Sequence, residues 1–345
     1  MSKEFESLEY EKGDRESMEK IKIGIVGYGN LGRGAELSIM QNEDMELCAI
    51  FTRRNVEEVK PVDTNVPVFP LDEVLNWKGK IDVMLLCGGS ATDLPVQSPQ
   101  LARDFSVVDS YDTHAKIPQH FEAVNQAAKE GGTVGIISAG WDPGLFSLLR
   151  LYGEVVLPKG ETYTFWGRGV SQGHSDVIRR IDGVKGGVQY TIPIESAIER
   201  ARGGDGGDLT TRDKHLRDCY VVIEEGVDEE LVRETIVNIP NYYADYDTKV
   251  TFISEEELLR DHSEMPHGGF VIRSGETGLK GNRHTMEYSL KIDSNPELTS
   301  SVLVCYARAA YRLGKMGKTG AITCLDIAPS LLFPGTREDL RRDLL

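Results

Sequence analysis

The first clear concentration of apolar residues is Ile21-Lys22-Ile23-Gly24-Ile25-Val26, a β-rich run that ends at Gly27-Tyr28-Gly29-Asn30-Leu31-Gly32. A helical pattern follows to about Met40. Glu46 to Phe51 reads as the next strand. Ile81 to Cys87 is nearly all apolar, as expected of a parallel strand covered on both faces. Ser106 to Asp109 predicts a fourth strand and Thr133 to Ser138 a fifth. Between them, Ile117 to Glu130 opens on Pro118 and spaces Phe121, Val124 and Ala128 as a helix does. Strands alternating with helices predict a parallel, doubly wound sheet. After Gly140 the texture changes. Tyr163 to Trp166, Cys219 to Ile223 and Met286 to Ile292 read as strands of antiparallel character, separated by Gly-rich loops. Gly203-Gly204-Asp205-Gly206-Gly207 reads as a mobile loop. A long helical stretch then runs from Pro296 to about Lys315.

These patterns predict an α/β chain in three parts. Residues 1–20 form an N-terminal extension, expected to be disordered. Residues 21–144 with about 295–345 form a dinucleotide-binding domain. Residues 145–294 form a second, α+β domain. The length of 345 residues suits two domains. Lys and Arg total 39 against 55 Asp and Glu, a net charge of −16, so nucleic acid and anionic membrane surfaces are poor partners. Five widely spaced cysteines without a CxxC pair fit a reducing cytoplasm better than a disulfide framework. No apolar run reaches the ~18 residues of a membrane span, and the first 20 residues, with seven acids and four bases, lack the apolar core of a signal peptide. No metal-binding pattern stands out: His262 and His267 are poorly spaced as helical ligands, and HExxH is absent.

The Gly27-x-Gly29-x-x-Gly32 pattern lies directly between a strand and a helix, the context that turns a weak motif into a dinucleotide site. Gly27 permits the tight turn, Gly29 lets backbone approach a pyrophosphate, and Gly32 lets the helix pack close. Tyr28, Asn30 and Leu31 complete the loop, and the free N–H groups of the helix start face the anion. An NAD site usually places an acid at the end of the second strand. Here the residues are Thr52, Arg53 and Arg54, whose hydroxyl and guanidiniums suit the 2′-phosphate of NADP(H). Ser90, Ala91, Thr92 and Asp93, and the segment Asp109 to His114, follow later strand ends, where ribose and nicotinamide bind in such sheets. The expected class is therefore a Rossmann-type doubly wound sheet with a second α+β domain.

GYGNLGRG, FTRR, CGGSATDLP, SAGWDPGLFS, SQGHSD, VQYTIP, EMPHGGFVI and SNPELTSS together resemble the meso-diaminopimelate dehydrogenase family, from about Ile21 to the C-terminus. The resemblance implies NADP-dependent oxidative deamination of the D-centre of meso-2,6-diaminopimelate. It gives L-2-amino-6-oxopimelate, which cyclises to tetrahydrodipicolinate, with ammonia and NADPH, in lysine biosynthesis. It also implies a homodimer formed through the second domain. On matching positions, Asp112 and Asp142 are the carboxylates at the reacting centre, with Trp141 and Trp166 as walls. Gln172 and Gly173 are donors to the nearby carboxylate. Thr191, Arg217, His267 and Asn295 hold the distant amino acid end. A substrate with two carboxylates and two ammoniums needs both charges and donors at both ends, and Arg217 offers a bidentate clamp. A broader NADP-dependent D-amino acid dehydrogenase and a non-catalytic NADP sensor are the competing readings. The role of Gly278 to Arg283 stays open.

Overall fold

The computed structural model describes residues 19–240 and 242–345; most of the expected N-terminal extension lies outside them. In chain order the first stretch is β1 (Ile21–Val26), α1 (Asn30–Met40), β2 (Met45–Thr52), β3 (Val68–Pro70), β4 (Val83–Leu86), α2 (Leu94–Leu101), β5 (Ser106–Asp109), α3 (Ile117–Gly131), β6 (Val134–Ile136) and α4 (Leu145–Val156). Next come β7 (Gly160–Trp166), β8 (Gly169–Val170), α5 (Gln172–Arg179), β9 (Val184–Pro193), α6 (Glu195–Gly203), α7 (Thr211–Lys214), β10 (His215–Ile223), α8 (Glu229–Val237), β11 (Asp247–Phe252), α9 (Glu255–Asp261), β12 (His267–Thr277) and β13 (Asn282–Ile292). The chain closes with α10 (Asn295–Lys315), β14 (Gly320–Ile322) and α11 (Arg337–Leu344).

The chain divides into two compact units, one running to Ser147 and resuming at Pro296–Leu345, the other Leu148–Asn295. The first is a seven-stranded sheet of order β14-β6-β5-β4-β1-β2-β3, with every pairing parallel. β1 is flanked by β2 and β4, so the strand order reverses there and opens a crevice at the strand C-termini, where ligands bind in doubly wound sheets. Ile23, Ile25, Ile50, Val83, Met84, Leu85 and Leu86 are buried, as strands covered on both faces must be. Helix α10 belongs to this unit: Ser300 donates to the carbonyl of Leu31, and Arg308 pairs with Asp44 at 2.6 Å.

The second unit holds a four-stranded sheet, β11-β10-β9-β8, and a three-stranded sheet, β13-β12-β7. Two details depart from the sequence reading. β10 and β11 run parallel, because α8 makes a crossover where a hairpin would reverse the chain. Gly203 to Gly207 is a tied helix end: Gly204 is the left-handed cap of α6, and Arg200 donates to the carbonyl of Asp205 at 2.8 Å. Gly278 to Gly281 forms the tip of the β12–β13 hairpin.

Candidate functional site

In the first unit, the β1–α1 turn begins with Gly27 in the left-handed region (φ 89°), its N–H bonded to the Phe51 carbonyl at 2.8 Å. A Cβ on Gly32 would lie 2.2 Å from the Gly27 carbonyl oxygen, so only glycine lets α1 sit this close to β1. Gly29 is the N-cap of α1 without a side-chain cap, and a Cβ built there meets nothing within 4 Å. Backbone at Gly29, Asn30 and Leu31 therefore faces open space at a helix N-terminus, the arrangement a pyrophosphate requires. Tyr28 has a structural side chain. It is buried, its hydroxyl donates to Glu36, and burial followed by that carboxylate pushes its pKa up to about 12. Glu36, buried in turn, accepts from the N–H groups of Val62 and Asp63 at 3.0 and 2.8 Å.

At the end of β2, Thr52 is buried and its hydroxyl accepts from the Arg54 N–H at 3.0 Å. Both arginines are exposed. Arg54 donates to the Tyr28 carbonyl, and Arg53 pairs with Asp93 at 2.8 Å, so the two cations lie beside the glycine turn. Asp93 also accepts the Gly89 N–H at 2.8 Å, closing the loop after β4, whose Ala91 and Thr92 are exposed. Ser90 accepts the Asp112 N–H at 2.9 Å, joining that loop to the one after β5. The dinucleotide fits these residues: an open glycine cradle, a helix start and two guanidiniums meet its phosphates in kind.

The acidic loops leave adjacent strands. Asp112 follows β5 and is exposed; Trp141 and Asp142 follow β6. Trp141 is buried with its ring edge-on to Phe146 at 5.4 Å, and Asp142 is half-buried.

In the second unit, Arg217 on β10 faces Thr191 on β9 and donates to its hydroxyl, while its guanidinium lies 3.8 Å from the centre of the Tyr246 ring. Three arginines of the described residues are buried: Arg217, Arg273 and Arg308. Arg308 has Asp44, and Arg273 donates to the carbonyl of Leu157 and to Thr162. Arg217 has no carboxylate among the described residues, its Nε is buried without a hydrogen bond, and burial lowers its pKa. A buried cation left this way is costly unless an anion arrives.

Two imidazoles lie near Arg217: His174 of the SQGHSD segment, and His215, which the sequence reading did not single out. His215 lies on the same face of β10, is buried, and accepts the Trp166 N–H at 2.9 Å. Its pKa falls to about 3 through burial, then Arg217 and Lys214. His174 falls to about 4 through burial, then Arg217, and its Nδ1 bonds the Ser171 hydroxyl at 2.7 Å. Both imidazoles are neutral near pH 7, so the positive charge stays on Arg217. Ser171 caps α5, leaving the first-turn N–H groups of exposed Gln172 and Gly173 without intrahelical acceptors. His267 opens β12, its Nδ1 accepting the Gly268 N–H at 2.8 Å, and Asn295 begins α10, its N–H donating to the Met265 carbonyl at 3.0 Å. Asp176 on α5 pairs with Arg179 and Arg180.

Fold and site together define a two-domain Rossmann-type oxidoreductase with a buried arginine lacking a carboxylate in its second domain. Residues 140–294 match the family model for the diaminopimelic acid dehydrogenase C-terminal domain. The meso-diaminopimelate D-dehydrogenase of Ureibacillus thermosphaericus is 61% identical over 328 residues, 95% of this chain and 100% of the relative. A substituted meso-diaminopimelate dehydrogenase of Clostridium tetani, solved with DAP, is 54% identical, covers 94% of this chain and all of its own, and superposes with a TM-score of 0.89. An engineered D-amino acid dehydrogenase bound to NADP+ is 44% identical with a TM-score of 0.83, over 94% of this chain and all of its own. The chain belongs to the meso-diaminopimelate dehydrogenase family.

Proposed function

We propose that the chain catalyses NADP-dependent oxidative deamination at the D-centre of meso-2,6-diaminopimelate, forming L-2-amino-6-oxopimelate, ammonia and NADPH, and the reverse amination. The observation that carries the reading is Arg217, a buried guanidinium lacking a carboxylate of its own. It suits a substrate whose far end supplies that carboxylate. Thr191, His267 and Asn295 hold the rest of the far end, and Gln172 and Gly173 offer backbone donors to the near carboxylate. Trp141 and Trp166 flank the reacting carbon.

NADP(H) is held by Gly27, Gly29, Asn30, Leu31 and Gly32 at the diphosphate and by Thr52, Arg53 and Arg54 at the 2′-phosphate, with Ser90 to Asp93 beside the ribose. The NADP+-bound relative supports this assignment. When bound, the nicotinamide supplies the hydride acceptor. Asp112 and Asp142 hold the reacting ammonium, and one takes the proton released as the C–N bond becomes an imine. Water then adds to that carbon and ammonia leaves, so the substrate carbon loses two electrons and gains the carbonyl oxygen from water. The first unit is thus the cofactor domain and the second the substrate and dimerisation domain. A cytoplasmic homodimer is the form we expect.

The test is NADP+ reduction assayed with meso-, LL- and DD-diaminopimelate beside simple D-amino acids. The meso isomer should be strongly preferred and the LL isomer inert. Comparable turnover of simple D-amino acids would replace this reading with the broader dehydrogenase, and NADPH binding without turnover would replace it with a sensor.

A further inference from the structure

Asp109, the last residue of β5, is fully buried, and its carboxylate is bonded on both oxygens. One oxygen accepts the Ser98 hydroxyl at 2.6 Å and lies 2.8 Å from His120 Nε2. The other accepts the backbone N–H groups of Tyr111 at 3.1 Å and Ser138 at 3.0 Å. Its carbonyl accepts the Ala139 N–H at 2.8 Å. His120 is buried and stacked on Tyr111, with ring centres 4.1 Å apart. One side chain thus ties α2 and α3 to the first residues of two loops: the one that carries Asp112 and the one that carries Trp141 and Asp142.

The second attachment is demanding. Ser138 is the only non-glycine residue with positive φ (55°) among those described, and its buried hydroxyl has no partner. Left-handed backbone costs an L-residue about 1–2 kcal/mol, so something must hold it there. The Asp109 carboxylate does so, through the Ser138 N–H.

We propose that Asp109, backed by His120, is a positioning residue. It fixes the Asp112 loop relative to the Trp141–Asp142 loop, and so sets how the reacting amino centre is presented for hydride transfer. The proposal rests on the assignment of Asp112 and Asp142 to that centre. It gives Asp109 no contact with substrate or cofactor. The group needed is an acceptor for two backbone N–H groups. An amide oxygen can serve, because the Ser98 hydroxyl and the His120 ring can both reverse their donor roles toward an amide NH2 while the backbone groups cannot.

The experiment compares Asp109→Ala, Asp109→Asn and His120→Leu as full-length proteins. It measures kcat and KM for meso-diaminopimelate, the primary isotope effect with deuterium at the D-carbon, and the NADPH dissociation constant. For Asp109→Ala, kcat should fall about 100-fold with a larger isotope effect, because a small misplacement of reacting groups acts on the chemical step. KM and NADPH affinity should stay within about threefold, since most of the binding on this reading comes from the Arg217 end and from the phosphate contacts at Gly29 to Gly32, Arg53 and Arg54, which lie away from Asp109. Asp109→Asn should recover most of kcat. His120→Leu, which leaves the carboxylate but removes its support, should show the same split at about one tenth the size, and it carries the test if the alanine variant does not fold. Unchanged kcat and isotope effect in the folded variants would overturn the proposal. So would a loss spread equally over kcat, KM and NADPH binding, or an asparagine variant as impaired as alanine. Asp112→Asn and Asp142→Asn are measured alongside. If both are fully active, the site assignment fails. If both are impaired while the Asp109 and His120 variants keep kcat, the positioning role alone fails.

Discussion

On the proposed reading, replacing Arg217 should separate substrate recognition from fold stability, because the side chain would serve the first at the expense of the second. In the folded chain it is 6% exposed, with one hydroxyl and one aromatic face as partners and an unbonded Nε. A bound carboxylate would accept two charge-assisted hydrogen bonds, each worth about 1.5–3 kcal/mol. Their loss in Arg217→Met removes about 3–6 kcal/mol of binding to the diamino diacid, or roughly 10²–10⁴-fold in kcat/KM. D-Alanine has no far carboxylate, so its kcat/KM should change by less than about threefold. Stability moves the other way. Methionine fills the space without a buried charge, and such replacements are often stabilising by about 1–4 kcal/mol. Taking the low end, Tm should rise by about 2–4 °C at this domain size. The assays are parallel kinetics on the two substrates and calorimetry of the ligand-free protein. An equal loss on both substrates would refute the clamp. A Tm that falls would refute the claim that the guanidinium is left unsatisfied.

Three further outcomes follow from the same geometry. Arg53→Ala combined with Arg54→Ala should weaken NADP+ by about 1–3 kcal/mol per charged bond lost and leave NAD+ nearly unchanged; isothermal titration with both cofactors decides, and equal weakening would exclude a 2′-phosphate role. His215 and His174 have folded pKa values of about 3 and about 4, against 6.5 for an ordinary histidine, because burial disfavours their charged forms. Their contribution to stability is complete above pH 6.5 and is lost as pH falls toward the folded values, at about 1.4 kcal/mol per pH unit for each ring. His215→Gln should therefore flatten the fall of stability between pH 6 and pH 4.5, and superimposable denaturation curves would argue against a buried neutral ring. Ser138→Gly relieves about 1–2 kcal/mol of positive-φ strain against about 0.4–1 kcal/mol of added unfolded-chain entropy and deletes an unpartnered hydroxyl, so Tm should rise by about 1–3 °C; a Tm lower by several degrees would mean that the hydroxyl has a partner.

What the sequence discloses depends on how local the cause is. Gly27, Gly29 and Gly32 are legible because their work is done within one turn: a left-handed φ, an open approach and a 2.2 Å clearance between residues five apart. The placement of Arg53 and Arg54 beside the glycine turn is legible because a strand end names the position; their hold on a 2′-phosphate is what the double variant tests. β3 and β14 are not legible, since three residues cannot display an alternation, and both exist by pairing with β2 and β6. The direction of β11 is equally silent, because an apolar strand reads the same whichever way its neighbour runs.

The site residues the sequence hides are those whose meaning is relational. Asp109 looks like the first residue of a ligand-facing loop, yet its donors come from residues 98, 111, 120 and 138, and no spacing announces that they converge. Arg217 is one of 39 basic residues and, by pattern, an ordinary strand position. Family resemblance points to it, but the physical reason emerges only beside Arg273 and Arg308. All three are buried, and two are answered by carbonyls, hydroxyls or a carboxylate of the chain itself. Folding would not favour a third guanidinium that has only the Thr191 hydroxyl and the Tyr246 ring, its Nε unbonded, since the desolvation cost is the same and the return is smaller. Its retention makes sense where the missing anion belongs to a substrate, which is why its removal should cost catalysis and add stability together.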